Sequence, residues 1–336
     1  MMTDQLRFKT CASGRRWSAG MSRCVLPLLM ASVALPAAAK NNNAYVANQT
    51  DNTVSVIDTA SNGVMATVPV GTNPAGVALS PNGKQVYVAN LSSDNVSVIN
   101  VATNTVTATV AVGSSPAAIV ITPNGAEAYV ANANAGDVSV IDTATNTVTA
   151  TVAVGDSPSG IAVSHDGAHV YVTNEQDGTV SVINTATNTV AATVAVGINP
   201  FGVTVGPFGK QVYVANFGSN DVSVINTNSN TVTATYPAGN GANAVAVGPL
   251  GVRLYVANFN DNTVSVINAI NGKTIATVPV GTAPQAEAVS LDGKRLYVAN
   301  VNSANLSVID TSNDTVTTTV TVGNSPASVA TQPGCP

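Results

Sequence analysis

Short apolar runs separated by polar turns recur along most of the chain. In the segment 72–113, Ala75–Ser80 is apolar without polar alternation, which predicts an inner strand buried on both faces. Three further runs follow, Gln85–Asn90, Val96–Asn100 and Thr105–Val112, and they are rich in the β-branched and aromatic residues that favour strands. The pattern therefore predicts four strands in this segment.

This segment is one of seven copies. A tetrapeptide Tyr-Val-(Ala/Thr)-Asn returns every 42 residues, starting at Tyr45, Tyr87, Tyr129, Tyr171, Tyr213, Tyr255 and Tyr297. Four short antiparallel strands in a repeat of about 40 residues describe one blade of a β-propeller. We therefore expect an all-β fold, a seven-bladed β-propeller of four-stranded antiparallel blades, formed by residues 40–336 as a single domain of 42-residue repeats.

The two ends of the array complement each other. Lys40 falls in the turn after an inner strand, and Pro333 falls where the next such turn begins. Residues 326–332 are therefore predicted to supply the inner strand of the blade whose other three strands lie within 43–71. Ring closure of this kind pairs strand edges that would otherwise be open to aggregation. The alternative is an open array with uncovered ends.

The first 39 residues differ from the rest. Several basic residues precede a mostly apolar run at 25–35, and small residues end the segment at Ala39. This order predicts a secretory signal peptide, residues 1–39, cleaved after Ala39. The leader would be more ordinary in length from Met21, so we expect translation to start there rather than at Met1. The alternatives are a twin-arginine signal at Arg15-Arg16 and an uncleaved membrane anchor.

Charge and cysteine content limit the partners of the cleaved chain. Removal of the leader would leave seven basic and 16 acidic residues, a net charge of −9. Such a surface does not attract phosphate backbones, so no nucleic acid partner is expected. No later apolar run is long enough to span a membrane, so no membrane span is expected after cleavage. The predicted signal peptide places the protein in the periplasm or at the cell surface. Cys335 would be the single cysteine, either an exposed thiol or part of an intermolecular disulfide.

The tetrapeptide also supports a family resemblance. Residues 171–174 read Tyr-Val-Thr-Asn, and the six other copies read Tyr-Val-Ala-Asn. Over residues 40–333 the chain resembles the YVTN-family β-propeller repeats. That resemblance implies a seven-bladed propeller of the kind found in surface-layer and exported binding proteins. Its relatives also include quinoprotein and lactonase enzymes, so it implies no single function.

A single functional site must break the seven-fold repetition. The position after each tetrapeptide varies, and it holds Gln49, Leu91, Ala133, Glu175, Phe217, Phe259 and Val301. We expect this position to lie beside the mouth of the central channel. Phe217 and Phe259 are on neighbouring blades, and Phe201 begins the inner strand of the blade that carries Phe217.

These three phenylalanines are predicted to form an apolar binding patch, with Glu175 on the preceding blade as a further ligand contact. In the alternative interpretation, each ring packs inside its own loop.

Glu287 is a second departure, because the other inner strands have valine or isoleucine at its position. It is a candidate channel-facing acid that binds a cation or a ligand donor, or else a solvated or paired carboxylate. His165 and His169 are expected on the face opposite the channel mouth. The two histidines could bind a metal ion as a pair, but no nearby cysteine or other ligand pattern accompanies them. No catalytic residue, metal site or cofactor is assigned. Loops such as Asp51-Asn52 are expected to form turns, and calcium binding by these loops is the alternative.

These features predict an exported, non-catalytic binding or scaffold propeller that recognises a protein, peptide or envelope glycan through its loop-rich face. Two alternatives remain open. One is a metal-assisted lactonase-like or hydrolase-like enzyme that uses Glu287 as acid or base. The other is an accessory subunit of a periplasmic quinoprotein-type dehydrogenase.

Overall fold

The computed structural model describes residues 43–331, which form seven four-stranded antiparallel sheets. The predicted seven-bladed β-propeller is confirmed. The predicted signal peptide, the choice of start codon and Cys335 lie outside the described residues. Within 43–331, no helix combines the length and apolar character needed to cross a membrane.

The strands are numbered in chain order. The first three are β1 (Asn43–Asn48), β2 (Thr53–Asp58) and β3 (Gly63–Pro69). Blade 2 comprises β4 (Pro74–Leu79), β5 (Gln85–Asn90), β6 (Asn95–Asn100) and β7 (Thr105–Ala111). Blade 3 comprises β8 (Pro116–Ile121), β9 (Glu127–Asn132), β10 (Asp137–Asp142) and β11 (Thr147–Ala153). Blade 4 comprises β12 (Pro158–Val163), β13 (His169–Asn174), β14 (Thr179–Asn184) and β15 (Thr189–Ala195).

The remaining blades repeat this order. Blade 5 comprises β16 (Pro200–Val205), β17 (Gln211–Asn216), β18 (Asp221–Asn226) and β19 (Thr231–Pro237). Blade 6 comprises β20 (Ala242–Val247), β21 (Arg253–Asn258), β22 (Thr263–Asn268) and β23 (Thr274–Pro279). Blade 7 comprises β24 (Pro284–Val289), β25 (Arg295–Asn300), β26 (Asn305–Asp310) and β27 (Thr315–Thr321), with a short 3-10 helix at Val301–Ser303. The last strand is β28 (Pro326–Ala330).

The strand boundaries follow the sequence prediction closely. In blade 2 the inner strand begins at Pro74 instead of Ala75, and the outer strand ends at Ala111 instead of Val112. Proline is tolerated as the first residue of a strand because no ladder hydrogen bond needs its missing N–H. Pro74 is paired with Asn90, and a register shift between Pro74 and Gly76 follows at once.

Two strands from opposite ends of the chain close the ring. β28 pairs with β1, with Val46 opposite Val329 and Tyr45 opposite Ala330, so blade 1 contains β28, β1, β2 and β3. The predicted closure is confirmed, although the closing strand ends at Ala330. β1 therefore has a strand partner on each side, and its edge is not left open.

The propeller has two faces that differ in the loops they carry. Loops between the second and third strands of each blade, and loops from each outer strand to the next inner strand, lie together on what we call the upper face. The turn after each inner strand and the loop before each outer strand lie on the opposite, lower face.

The repeated tetrapeptide serves the scaffold. The Asn132 side chain is fully buried, and its amide donates hydrogen bonds to Ser139 Oγ at 2.9 Å and Asp137 Oδ1 at 2.7 Å. The Tyr129 hydroxyl donates to Asn188 Oδ1 of the next blade at 2.8 Å. The asparagine of the tetrapeptide therefore fixes the hairpin within a blade, and the tyrosine of the tetrapeptide connects neighbouring blades.

The apolar core lies between the blades. Seven clusters of buried side chains each combine residues of two adjacent blades, including one between blades 7 and 1. Tyr87, for example, packs with Val98 of its own blade and Ile119 of the next. Because each blade buries one face against each neighbour, the scaffold is stable as a closed ring and leaves the loops free to differ.

Candidate functional site on the upper face

Three phenylalanine rings meet on the upper face beside the inner strands. Phe201 and Phe217 contact each other edge to face with ring centroids 5.8 Å apart, and Phe217 and Phe259 do so at 6.1 Å. All three side chains are half-buried. The structure thus brings together the rings that the sequence singled out, and the contacts join loops of two blades. We call Phe201, Phe217 and Phe259 the phenylalanine patch.

Glycine leaves room for this patch. Gly241 has a φ of +70° and lies against Phe217, where an added Cβ would be 3.1 Å from the ring atom Cε2. Other blades have asparagine, serine or alanine at this position, as in Asn73 and Ser115. A side chain at Gly241 would therefore be strained by its φ and crowded by the ring.

A threonine from the preceding blade fixes the backbone of Phe201. Thr173 replaces the alanine found in the other copies of the tetrapeptide. Its hydroxyl donates to the Phe201 carbonyl at 2.7 Å and accepts the Gly160 N–H at 2.8 Å. An added Cβ at Gly160 would collide with the same carbonyl oxygen, so glycine and threonine here act together.

Glu175 lies in the same sector, on the blade before the patch. Burial raises the pKa of its carboxyl group, and a hydrogen bond from the Asn199 side chain opposes that rise. The carbonyl oxygen of Asn199 also accepts the Phe217 N–H at 2.9 Å. Asn199 therefore connects the predicted acid to the phenylalanine patch.

The sequence interpretation missed Ile198 as part of this surface. Ile198 is 64% exposed, and its carbonyl accepts the N–H of Gly218, the residue after Phe217. An added Cβ at Gly218 would be 2.7 Å from the Ile198 side chain. The signal was present, because the equivalent loop positions hold polar residues: Thr72, Ser114, Asp156, Asn240, Thr282 and Asn324.

Glu287 lies apart from the patch. Both of its carboxyl oxygens are buried, and no hydrogen bond of normal geometry reaches them. Burial raises its pKa well above the ordinary value, and a weak interaction with the Ala246 backbone only partly opposes this. Burial therefore favours the neutral, protonated form of this carboxyl group over its charged form, and its oxygens do not reach the surface in this conformation.

Charge is distributed unequally between the two faces. Within residues 43–331 the upper face has eight carboxylates and no lysine, arginine or histidine. The eight are Asp51, Asp94, Asp137, Asp156, Glu175, Asp177, Asp221 and Asp261. All six described cationic residues lie on the lower face, among seven carboxylates; the cations are Lys84, Lys210, Arg253, Lys273, Lys294 and Arg295.

Both histidines lie on the lower face, as predicted. His165 follows the inner strand of blade 4, and its Nε2 is 3.0 Å from the Gly206 carbonyl oxygen of blade 5. His169 begins the second strand. A shallow depression of about 360 Å³ also opens on this face, lined by Phe208, Lys210 and Gln211 among others. These features are separate from the phenylalanine patch.

Two family profiles match the chain. The profile of the cytochrome D1 heme domain matches residues 123–331, and that of lactonase, 7-bladed beta-propeller, matches residues 36–148. No curated protein matches.

Solved structures share the architecture. Hydrazine synthase of Kuenenia stuttgartiensis is similar at 25% identity and a TM-score of 0.75, over 80% of this chain and 92% of that one. A functionally unknown protein from Desulfotomaculum acetoxidans has 19% identity and a TM-score of 0.78, over 88% and 100%. A putative 6-phosphogluconolactonase from Bacteroides uniformis has 18% identity and a TM-score of 0.74, over 87% and 99%. The likeness to the last two concerns the fold alone.

The described residues do not fit a heme at this site. Heme iron takes histidine, cysteine, methionine or tyrosine as its axial ligand. The patch and its neighbours offer phenylalanine, isoleucine, glutamate and amide side chains, whereas the repeated tyrosines are buried between blades. Upper-face carboxylates would also repel the heme propionates.

A shared metal site is likewise not formed in the described part of the chain. Within residues 43–331, no three His, Cys, Asp or Glu side chains are grouped so that they could hold one metal ion. The chemistry that the upper face does offer is apolar contact with aromatic rings, on a face whose described charged side chains are all carboxylates.

Proposed function

The chain belongs to the cytochrome D1 heme domain family, and from its own side chains we propose that it is an exported YVTN-type propeller that binds a partner in an accessory role. The observation that carries this proposal is the phenylalanine patch, three half-buried rings in mutual contact on the upper face. The proposed partner is a protein or peptide segment.

The patch is a departure from the repeat, which argues for a use outside the scaffold. Phe201 occupies a position held by alanine or serine in blades 2, 3 and 4: Ala75, Ala117 and Ser159. Those blades fold with the same strands, so the ring is not needed to form the inner strand. Clustered apolar surface marks binding sites more often than isolated apolar residues do.

Three adjoining rings give an anchor of the kind that dominates protein interfaces. Aromatic side chains are enriched among the few residues that supply most of the binding free energy. Mutual edge-to-face contacts hold Phe217 between Phe201 and Phe259, so little side-chain entropy is lost when a partner covers them. Exposed Ile198 extends the same apolar area.

The likeness to a chain of hydrazine synthase, over 92% of that chain, is what suggests the accessory role in this proposal. The predicted signal peptide supports export to the periplasm or cell surface. An envelope glycan is the other ligand class considered, and it would also stack on aromatic rings.

Site-specific photo-crosslinking tests this function. A benzophenone-bearing phenylalanine is placed at Phe217 in cells that export the protein, and the matched control is placed at Phe208, which is 74% exposed on the lower face. We expect a protease-sensitive adduct from position 217 and none from 208. A glycosidase-sensitive adduct would identify a glycan instead. Equal adducts from both positions, or none from position 217, would contradict the proposal.

A lactonase-like hydrolase is the second candidate, favoured by the profile match at 36–148 and by the buried acid Glu287. Its test is turnover of a panel of lactones with added calcium by the wild-type protein and the Glu287→Gln variant. Activity that disappears in the variant would support it, whereas equal activity in both proteins would remove Glu287 from the reaction.

A further inference from the structure

We propose that the upper face docks a basic polypeptide, whose lysine or arginine side chains lie over the phenylalanine patch. This inference rests on the docking function proposed above and adds the chemistry of the partner. It starts from the absence of described cations on the upper face, where eight carboxylates are spread over the loops of blades 1 to 6. The first question is whether those carboxylates are needed for the fold.

Three of them make a hydrogen bond that neutral residues make elsewhere. Asp51, Asp177 and Asp261 accept a backbone N–H from the loop that leads into the inner strand of their own blade, at 2.7, 2.8 and 2.7 Å. Three other blades have serine at this position, and its hydroxyl accepts the same bond. Those serines are Ser93, Ser219 and Ser303, at 3.0, 3.1 and 2.7 Å. The bond therefore requires an oxygen and not a negative charge.

The same comparison holds at the next loop position. Asp94 accepts the Ser115 N–H at 2.8 Å. Asn52 accepts the Asn73 N–H at the same distance in blade 1, so the neutral amide is sufficient there.

It holds again where the third strand begins. Asp137 and Asp221 accept from the tetrapeptide asparagine at 2.7 and 2.6 Å. Asn95 and Thr263 accept the same bond at 2.8 and 3.0 Å. At three loop positions, then, the chain has acids where its own repeat shows that neutral residues suffice.

The lower face does not show this excess. Six cations lie there among seven carboxylates, and Arg253 forms a bond of 2.9 Å with Asp314. The negative charge of the described propeller is thus concentrated on the upper face, which also carries the patch. A one-signed surface attracts partners of opposite charge and raises their rate of association.

The rings and the acids suit the same ligand. Cationic side chains are attracted to the faces of aromatic rings, and this attraction adds to that of nearby carboxylates. Glu175, half-buried beside Asn199, is a carboxylate in the sector of Phe217. A neutral apolar partner would gain nothing from the eight acids, and an acidic partner would be repelled by them.

Two charge-matched variants test the inference with a fluorescently labelled decalysine peptide as the probe. The upper variant combines Asp51→Ser, Asp177→Ser and Asp261→Ser, each a residue that other blades use. The lower variant combines three Asp→Asn changes, at Asp58, Asp142 and Asp310, where other blades have asparagine. Both lose three negative charges, and circular dichroism confirms that each is folded.

We expect the exported form of the wild-type protein to bind the probe, and the upper variant to bind it about tenfold more weakly at about 50 mM salt. The lower variant should remain within about twofold of wild type, and about 200 mM salt should reduce the difference. Equal weakening in both variants, or no binding by the wild type, would overturn the inference.

Photo-crosslinking at Phe217 separates this inference from the proposed function. If an adduct partner is recovered and binds the upper variant as tightly as wild type, the charge inference fails while docking stands. If decalysine binding is confined to the upper face and position 217 gives no adduct, docking at the patch fails while the preference for cations stands.

Discussion

The Thr173 hydroxyl donates a hydrogen bond to the carbonyl oxygen of Phe201, 2.7 Å away across the boundary between blades 4 and 5. Thr173 is fully buried, and the other six blades have alanine at this position. The scaffold repeat therefore departs from its own pattern at the residue that supports the patch.

Replacing Thr173 with alanine should weaken both stability and binding. The Thr173→Ala variant leaves the Gly160 N–H and the Phe201 carbonyl without this partner, which costs about 1–3 kcal/mol in unfolding free energy. Urea denaturation measures the change. The control is Thr151→Ala on an exposed outer strand, expected within about 0.5 kcal/mol of wild type. Identical unfolding free energies for both variants would show that the hydroxyl does not support the patch.

The repeat made the architecture predictable, because a 42-residue period with four apolar runs allows few folds other than a seven-bladed ring. The proximity of Phe201, Phe217 and Phe259 followed from their places in the repeat. Thr173 could not be assigned its role, since its partner belongs to the next blade and the bond depends on the distance between blades. The burial of Glu287 without a hydrogen bond of normal geometry was not predictable either, because a sequence does not show which donors surround a buried side chain.

Glu287 should make stability depend on pH. Its pKa in the folded protein is raised by burial, so the folded state holds a proton that the unfolded state loses above about pH 4.3. Stability contributed by this group is therefore present at low pH and is lost as the pH rises toward the folded pKa. Glu287→Gln removes this titration, because glutamine carries no proton to lose.

The measurement is urea unfolding of wild type and Glu287→Gln at pH 4 and pH 8. We expect the variant to gain more than about 0.5 kcal/mol relative to wild type between the two pH values, a difference beyond ordinary surface effects. Glu127→Gln on the lower face is the control for loss of a carboxylate. A stability difference that stays constant with pH would show that folding does not raise the pKa of Glu287.

The tetrapeptide asparagine should be essential to its blade. Asn132→Ala removes a buried hydrogen bond to Ser139 and a partly buried one to Asp137, and leaves the Asp137 carboxylate without this donor. We expect a loss of about 1–3 kcal/mol in unfolding free energy. Asn134→Ala changes an exposed asparagine of the same loop and should cost much less. Similar losses in both variants would contradict the scaffold role.

Ring closure predicts a strong effect of removing the last strand. Deletion of residues 324–336 removes β28 and leaves the β1 edge unpaired. We expect a lower melting temperature and concentration-dependent aggregation, measured by light scattering. Deletion of residues 332–336 alone keeps β28 and should preserve wild-type behaviour. A stable monomer after the longer deletion would show that closure is dispensable.

The phenylalanine patch as a docking site is the central claim, and the affinity of the partner recovered at position 217 tests it most directly. The dissociation constant is measured for wild type, for Phe217→Ala with Phe259→Ala, and for Phe208→Ala on the lower face. We predict at least about tenfold weaker binding for the double variant and a change within about twofold for Phe208→Ala. An unchanged dissociation constant in the double variant would contradict the claim.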